Sequence, residues 1–336
     1  MDLAPDSPLR VTILGTGGFV PERRVTNDAL ERTWGLESGW IERATGVRER
    51  RRGEHDTTLS MGLAAASRAL EAASTALEEL DLIVAASTAP HQAVPCTAAL
   101  LQRGLGAPDG RSACFDVNST CLSWLNALQV AAHLVDAGAY RRALVVSSEV
   151  TRHSIDPSEP ESAVLLGDAA AAAVIARAET GSASRILATR FATHASGAEL
   201  TYCLGGGTSH HPNDAGTTRA MNLFHMNGAG VYRMASRLLG PFLDDVLERS
   251  GWRRADVDHV VPHQASGRGV DLLTRTLGFR PDQVVRNVET RGNCASAALP
   301  LAFAESMAEG RFARGDRVLL IGTGAGLTLG AVTLVY

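Results

Sequence analysis

Short runs of consecutive apolar residues, rich in Val, Ile and Leu, recur at 11–14, 80–86, 113–118, 143–148, 257–262, 283–288, 317–322 and 331–335. Runs of that length without polar alternation predict strands covered on both faces. Between most of them, Ala and Leu return every three or four residues, the spacing of an amphipathic helix. The pattern predicts an α/β chain with largely buried sheets. After the run at 113–118, Cys121, Leu125, Leu128, Ala132 and Val135 follow at helical spacing as far as Gly138. That spacing predicts a buried helix with Cys121 in its first turn. A helix N-terminus sets N–H groups and partial positive charge beside the thiol, so a lowered thiol pKa and a ready nucleophile are expected.

Laid over itself, the chain repeats. Pro90-His91-Gln92-Ala93 returns as Pro262-His263-Gln264-Ala265, and the segment from Leu100 to Gly106 returns from Leu272 to Gly278, both at an offset of 172. The strand at 142–146 returns at 317–321, an offset of 175. Matches in one order predict an internal duplication: a half at 1–178 carrying the nucleophilic Cys and a half at 223–336 carrying His and Asn. The polar, Gly-rich segment 179–222 between them reads as a long loop or lid. The offset of 172 pairs Cys121 with Asn293, which predicts two equivalent helix starts facing a pseudo-twofold axis. His263 closes the run at 257–262, so a Cys, a His and an Asn converge from three regions, a set suited to acyl transfer. His210 and His211 lack a third ligand nearby, and no metal site is predicted.

Composition narrows the chemistry. The 336 residues are 45% apolar and 20% charged, with 36 acidic against 32 basic side chains, a formal net charge of −4. That is the balance of a soluble globular protein without the positive excess that nucleic acid demands. No lysine occurs, so all 32 basic residues are arginine, which excludes Schiff-base, pyridoxal-phosphate and P-loop chemistry. Five cysteines, at 96, 114, 121, 203 and 294, form no C-x-x-C pair. Neither a disulfide scaffold nor a zinc site is expected, and Cys96, Cys114 and Cys203 read as small core residues. The acidic leading segment predicts no signal peptide, and the apolar run from Ala169 to Ala176 is too short to span a membrane. Free thiols suit the reducing cytoplasm.

Several motifs carry a resemblance. They are Gly15-Thr16-Gly17-Gly18, Trp40-Ile41, the stretch from Thr45 to Arg50, Asp116-Val117-Asn118-Ser119-Thr120-Cys121 and Gly167-Asp168-Ala169-Ala170. Val261-Pro262-His263-Gln264-Ala265, Gly292-Asn293 and the terminal Gly322-Thr323-Gly324-Ala325-Gly326 complete the set. In this order, over essentially the whole chain, the sequence resembles the β-ketoacyl-acyl carrier protein synthase III family of the thiolase superfamily. The resemblance implies a five-layered αβαβα fold, a homodimer and a decarboxylative Claisen condensation of an acyl thioester with malonyl-acyl carrier protein. It places that reaction in fatty-acid or secondary-metabolite biosynthesis. No cofactor is implied beyond the coenzyme A or carrier thioester that serves as substrate.

The resemblance also implies roles. Cys121 is the nucleophile, the N–H groups of Cys121 and Ala325 form the oxyanion hole, and His263 and Asn293 stabilise the enolate left by decarboxylation. Trp40 and Arg152 would hold the thioester arm, Arg268 would dock the acyl carrier protein, and the arginines at 48, 50, 51 and 52 would assist it. Val94 would project across the dimer into the floor of the partner's acyl pocket, with Trp124 as the neighbour able to refill the space. Polar family positions near the arm are here Ala44 and Ala229, and the oxyanion glycine is Ala325, which favours a carrier-protein donor over coenzyme A. Two alternatives stand beside this reading: a long-chain condensing enzyme or acyltransferase of secondary metabolism, and a non-catalytic partner subunit.

Overall fold

The computed structural model describes residues 7–336. Its first sheet contains β1 (Val11–Phe19), β2 (Leu82–Ala85), β3 (Ala113–Asp116), β4 (Arg142–Glu149) and β5 (Ala169–Arg177), in the order β1-β5-β4-β2-β3. Its second contains β6 (Arg185–Thr193), β7 (His259–Pro262), β8 (Arg317–Gly324) and β9 (Thr328–Val335), in the order β7-β8-β9-β6. The two sheets share one topology. β2 runs parallel to β4, and β5 runs antiparallel to both β4 and β1; β7, β8, β9 and β6 repeat those relations in turn. The counterpart of β3 is reduced to a single bridge between Val260 and Val284. The apolar run at 283–288 predicts a strand there, but a 3-10 turn at Pro281–Gln283 and a helix from Val288 leave too little extended chain between them.

Side-chain alternation along the strands builds the layers. Leu82, Val84, Ala143, Val145, Ala173 and Ile175 of the first sheet share one core with Val318, Leu320, Val332 and Leu334 of the second. Helices α3 (Ser123–Asp136) and α6 (Ala298–Ala308) fill the space between, through Leu125, Leu128, Leu299 and Phe303. Intervening residues face outward. Ile83, Leu144, Val146 and Val174 pack on α1 (Thr58–Ala72) and α2 (Thr97–Leu105). Val260, Leu319, Ile321 and Leu329 pack on α4 (Gly228–Ser250) and α5 (Gly267–Leu277). The result is helix, sheet, helix, sheet, helix: the five-layered thiolase-like arrangement.

One stretch is left unassigned by the apolar pattern and one departs from it. The alanine run at 169–176 is β5, buried between β1 and β4. Alanine prefers helix in isolation, but a strand sandwiched between two helical layers is chosen for its small side chains, and tertiary context overrides propensity. The segment 179–222 is not one loop. Residues 185–193 form β6 at the edge of the second sheet, and the polar excursion begins after it.

Candidate active site

Two elbows of the same design meet between the sheets. In the first, linking β3 to α3, the Asn118 Oδ1 accepts from the Thr120 N–H at 2.9 Å and Thr120 takes a φ of 51°. A 3-10 turn, Thr120–Leu122, then carries Cys121 into the helix. In the second, the Asn293 Oδ1 accepts from the Ala295 N–H at 2.9 Å, Ala295 takes a φ of 46°, and the turn Ala295–Ala297 leads into α6. Asn118 therefore corresponds to Asn293 and Cys121 to Ser296, at an offset of 175. The pairing of Cys121 with Asn293 expected from the offset of 172 is corrected.

His263 needs the same correction. Its N–H reaches the Ile321 carbonyl at 2.8 Å, as the Ala86 N–H reaches the Val146 carbonyl at 2.7 Å. His263 thus stands where the first half has Ala86, and His91 lies in a loop beyond. The repeated Pro-His-Gln-Ala is a coincidence of sequence. The offset of 172 holds for α2 and α5, which end on the left-handed glycines Gly106 and Gly278; loops of unequal length shift the register on either side.

Cys121 precedes α3, and the backbone N–H groups of Ala325 and of Cys121 itself act to lower the pKa of its thiol. Donors placed in this way are of the kind that could serve an oxyanion hole. The thiol is nonetheless pushed up to about 12, by burial first and by the nearby Glu149 second, against those donors. The lowered pKa expected of a helix start is overturned because desolvation outweighs the dipole at this depth. His263 is buried, and burial pushes its pKa down to about 4, so the imidazole is neutral at neutral pH. Its Nδ1 has no hydrogen-bond partner among the described residues. Asn293 is held by its backbone: its N–H donates to Leu165 and its carbonyl accepts from Gly167. With Oδ1 taken by Ala295, the carboxamide offers its NH2 as a donor.

The close approach of these groups depends on two glycines of β8. A Cβ at Gly322 would lie 2.7 Å from the His263 Cβ, and one at Gly324 would lie 2.9 Å from the Thr120 Oγ1. A cleft of about 1010 Å³ leads from the surface to His263, Gly322 and Thr323. Its walls include Trp40, Ala44 and Ala229, and its rim carries Arg43, Arg233, Arg268 and Arg275 with Asp271 and Glu161.

Of the residues singled out in the sequence, the cleft brings Trp40, Arg268 and His263 together. Cys121, Asn293, Ala325, Arg152, Val94 and Trp124 do not line it; the two elbows lie beyond its inner end at Gly322 and Thr323. Trp124 is 1% exposed within the central core, whereas Val94 is 81% exposed on a loop. Arg50 cannot meet a carrier protein: it is wholly buried, donating to the Val25 and Val164 carbonyls and to Asn27, and burial lowers its pKa to about 9. Arg52 also turns inward, to the Ala163 and Leu166 carbonyls. Cys203 is exposed rather than core. Two residues escaped notice, Glu149 and Ser296. The signal for Glu149 was present, a carboxylate closing the buried run 143–148. The spacing of Arg268 and Arg275, two helical turns apart, was likewise legible.

No helix among the described residues is long and apolar enough to cross a membrane. The family described as 3-oxoacyl-[acyl-carrier-protein] synthase III matches residues 115–195, and its C-terminal family matches residues 247–336. A β-ketoacyl-[acyl-carrier-protein] synthase III of Symbiobacterium thermophilum is 36% identical over 325 residues, covering 96% of this chain and 97% of the relative. The crystal structure of the Aquifex aeolicus 3-oxoacyl-[acyl-carrier-protein] synthase III is similar with a TM-score of 0.88 at 34% identity, covering 97% of this chain and all of that one. The priming β-ketosynthase of the R1128 polyketide pathway is similar with a TM-score of 0.89 at 30% identity, covering 100% and 99%. Fold and sequence agree along nearly the whole length, so the chain belongs to the β-ketoacyl-acyl carrier protein synthase III family of acyltransferase-type condensing enzymes.

Proposed function

We propose that this enzyme condenses an acyl thioester with malonyl-acyl carrier protein through an acyl-Cys121 intermediate, giving a β-ketoacyl product. The observation that supports this reading is the pair of matching elbows, one carrying Cys121 and the other Asn293 with its amide NH2 left as a donor, together with a neutral His263 lining the cleft. Cys121 attacks the donor carbonyl, the oxyanion gathers at the N–H groups of Cys121 and Ala325, and the thiol proton leaves with the departing thiol. The malonyl thioester then enters the cleft. His263 and Asn293 donate to its carbonyl, so that loss of carbon dioxide leaves an enolate whose carbanion attacks the acyl-Cys121. For this the imidazole must carry its proton on the nitrogen facing the carbonyl.

The rim arginines Arg43, Arg233, Arg268 and Arg275 suit an acidic acyl carrier protein, while Ala44 and Ala229 leave the walls with little to offer a nucleotide. The donor is an acyl-carrier thioester in preference to coenzyme A, and the enzyme works as a cytoplasmic homodimer without a metal or organic cofactor. Intact-protein mass spectrometry tests the assignment. Cys121→Ala forms no acyl-enzyme, whereas Asn293→Ala acylates normally and loses condensation by about 10²–10³-fold, the usual loss for one such donor. Condensation at the wild-type rate in Asn293→Ala would remove the amide from the mechanism.

A further inference from the structure

Glu149 is a buried titratable group that the reaction above does not use. It ends β4, is 4% exposed, and lies inside the protein with no arginine in hydrogen-bond contact. Its Oε1 accepts from the Thr88 N–H at 2.5 Å and from the Ser296 hydroxyl. Ser296 is the counterpart of Cys121 in the duplicated fold and lies three residues beyond Asn293. Its hydroxyl also meets Ser147 on β4 at 2.7 Å and the Ala86 carbonyl at 3.1 Å. One carboxyl therefore ties the elbow that carries Asn293 to the first sheet, beneath the elbow that carries Cys121.

We propose that Glu149 is a positioning residue of the condensing centre, its buried carboxyl holding Ser296 and Thr88 so that the Asn293 elbow stays in register with Cys121. This rests on the roles proposed above for Cys121 and Asn293. The same carboxyl couples the two groups electrostatically, because its charge opposes a thiolate at Cys121. Burial holds the Glu149 carboxyl up at about 7, so its charge changes within the working pH range. The charged groups that share the surroundings of Cys294 with it are engaged elsewhere. Asp168, just before β5, accepts from Gly53 and Thr151 and faces Arg52, and Arg291 pairs with Glu305. His263, at the end of β7, titrates near 4, well below this window.

The test is the rate of alkylation by iodoacetamide, mapped to Cys121 by peptide mass spectrometry, between pH 5 and 9. Alkylation follows the thiolate, so for an isolated thiol the rate climbs tenfold per pH unit. In the wild type the climb flattens around pH 7 for roughly one unit, as the Glu149 charge appears, and then resumes. Glu149→Gln keeps the acceptor oxygen and drops the charge; its climb is unbroken, and its rate at pH 8 exceeds the wild-type rate about tenfold. Ser296→Ala keeps the charge and removes the clamp; condensation falls at least about tenfold while acylation of Cys121 stays within about twofold of wild type. An unbroken wild-type climb overturns the coupling, and equal loss of acylation and condensation in Ser296→Ala overturns the positioning role. Failure of the underlying reaction is seen separately, as a wild-type protein that forms no acyl-Cys121.

Discussion

At the scale of single residues, this site is built from buried groups whose proton affinities are set by what surrounds them. His263 and Glu149 pull the pH dependence of stability in opposite directions. A histidine whose folded pKa is about 4 leaves the native state one proton short of the unfolded chain between pH 6.5 and 4, so stability falls as the pH drops through that range. Glu149, with a folded pKa of about 7 against 4.5 unfolded, retains a proton that the unfolded chain releases, so stability falls as the pH rises from 4.5 to 7. Each effect is worth about 3 kcal/mol in full. Relative to wild type, His263→Ala therefore gains stability on going from pH 7 to 4.5, and Glu149→Gln gains on going from 4.5 to 7. Urea unfolding at the two pH values measures both, and a constant difference from wild type for either variant contradicts the burial assigned to that residue.

At the scale of elements, the duplicated elbow is the functional unit of the proposed reaction. Both copies use an Asn side chain to cap a residue of positive φ and one 3-10 turn to enter a buried helix. The first copy delivers a thiol, and the second delivers a carboxamide from its capping residue. This arrangement needs β8 to pass within contact of the Cys121 elbow, which is why Gly324 has no room for a side chain. Gly324→Ala places a carbon 2.9 Å from the Thr120 Oγ1 and 3.4 Å from the Ser119 carbonyl oxygen. The elbow must move away from the Ala325 N–H, and acylation of Cys121 is expected to fall by about tenfold or more, since misplacing a reacting group by a fraction of an ångström is that costly. Burst-phase acylation kinetics, with circular dichroism to confirm folding, check this; wild-type burst rates would show that the elbow absorbs the change.

At the scale of the whole molecule, the question is how the acyl chain is accommodated. Val94 projects from the surface of the single chain, 81% exposed, and its side chain is small. If, as the resemblance implies, it floors the partner's pocket in a homodimer, acylation rates from two to twelve carbons should peak above acetyl, each extra buried methylene adding about 0.8 kcal/mol. Val94→Phe should move the peak back toward acetyl. A wild-type preference for acetyl, or unchanged long-chain rates in the variant, refutes the deeper pocket. The sequence by itself determined the fold class and the duplication and marked Cys121, His263 and Asn293 as candidates, because apolar runs, helical spacing and contiguous motifs are local properties of the chain. It did not determine which residues of the two halves correspond, since loops of different length slide the register between 172 and 177. Nor did it show that β5 is a strand, that Arg50 points inward, that burial outweighs the helix dipole at Cys121, or that Glu149 joins the two elbows. Each of those depends on which layers close over a residue, and desolvation and close packing exist only once the layers have met.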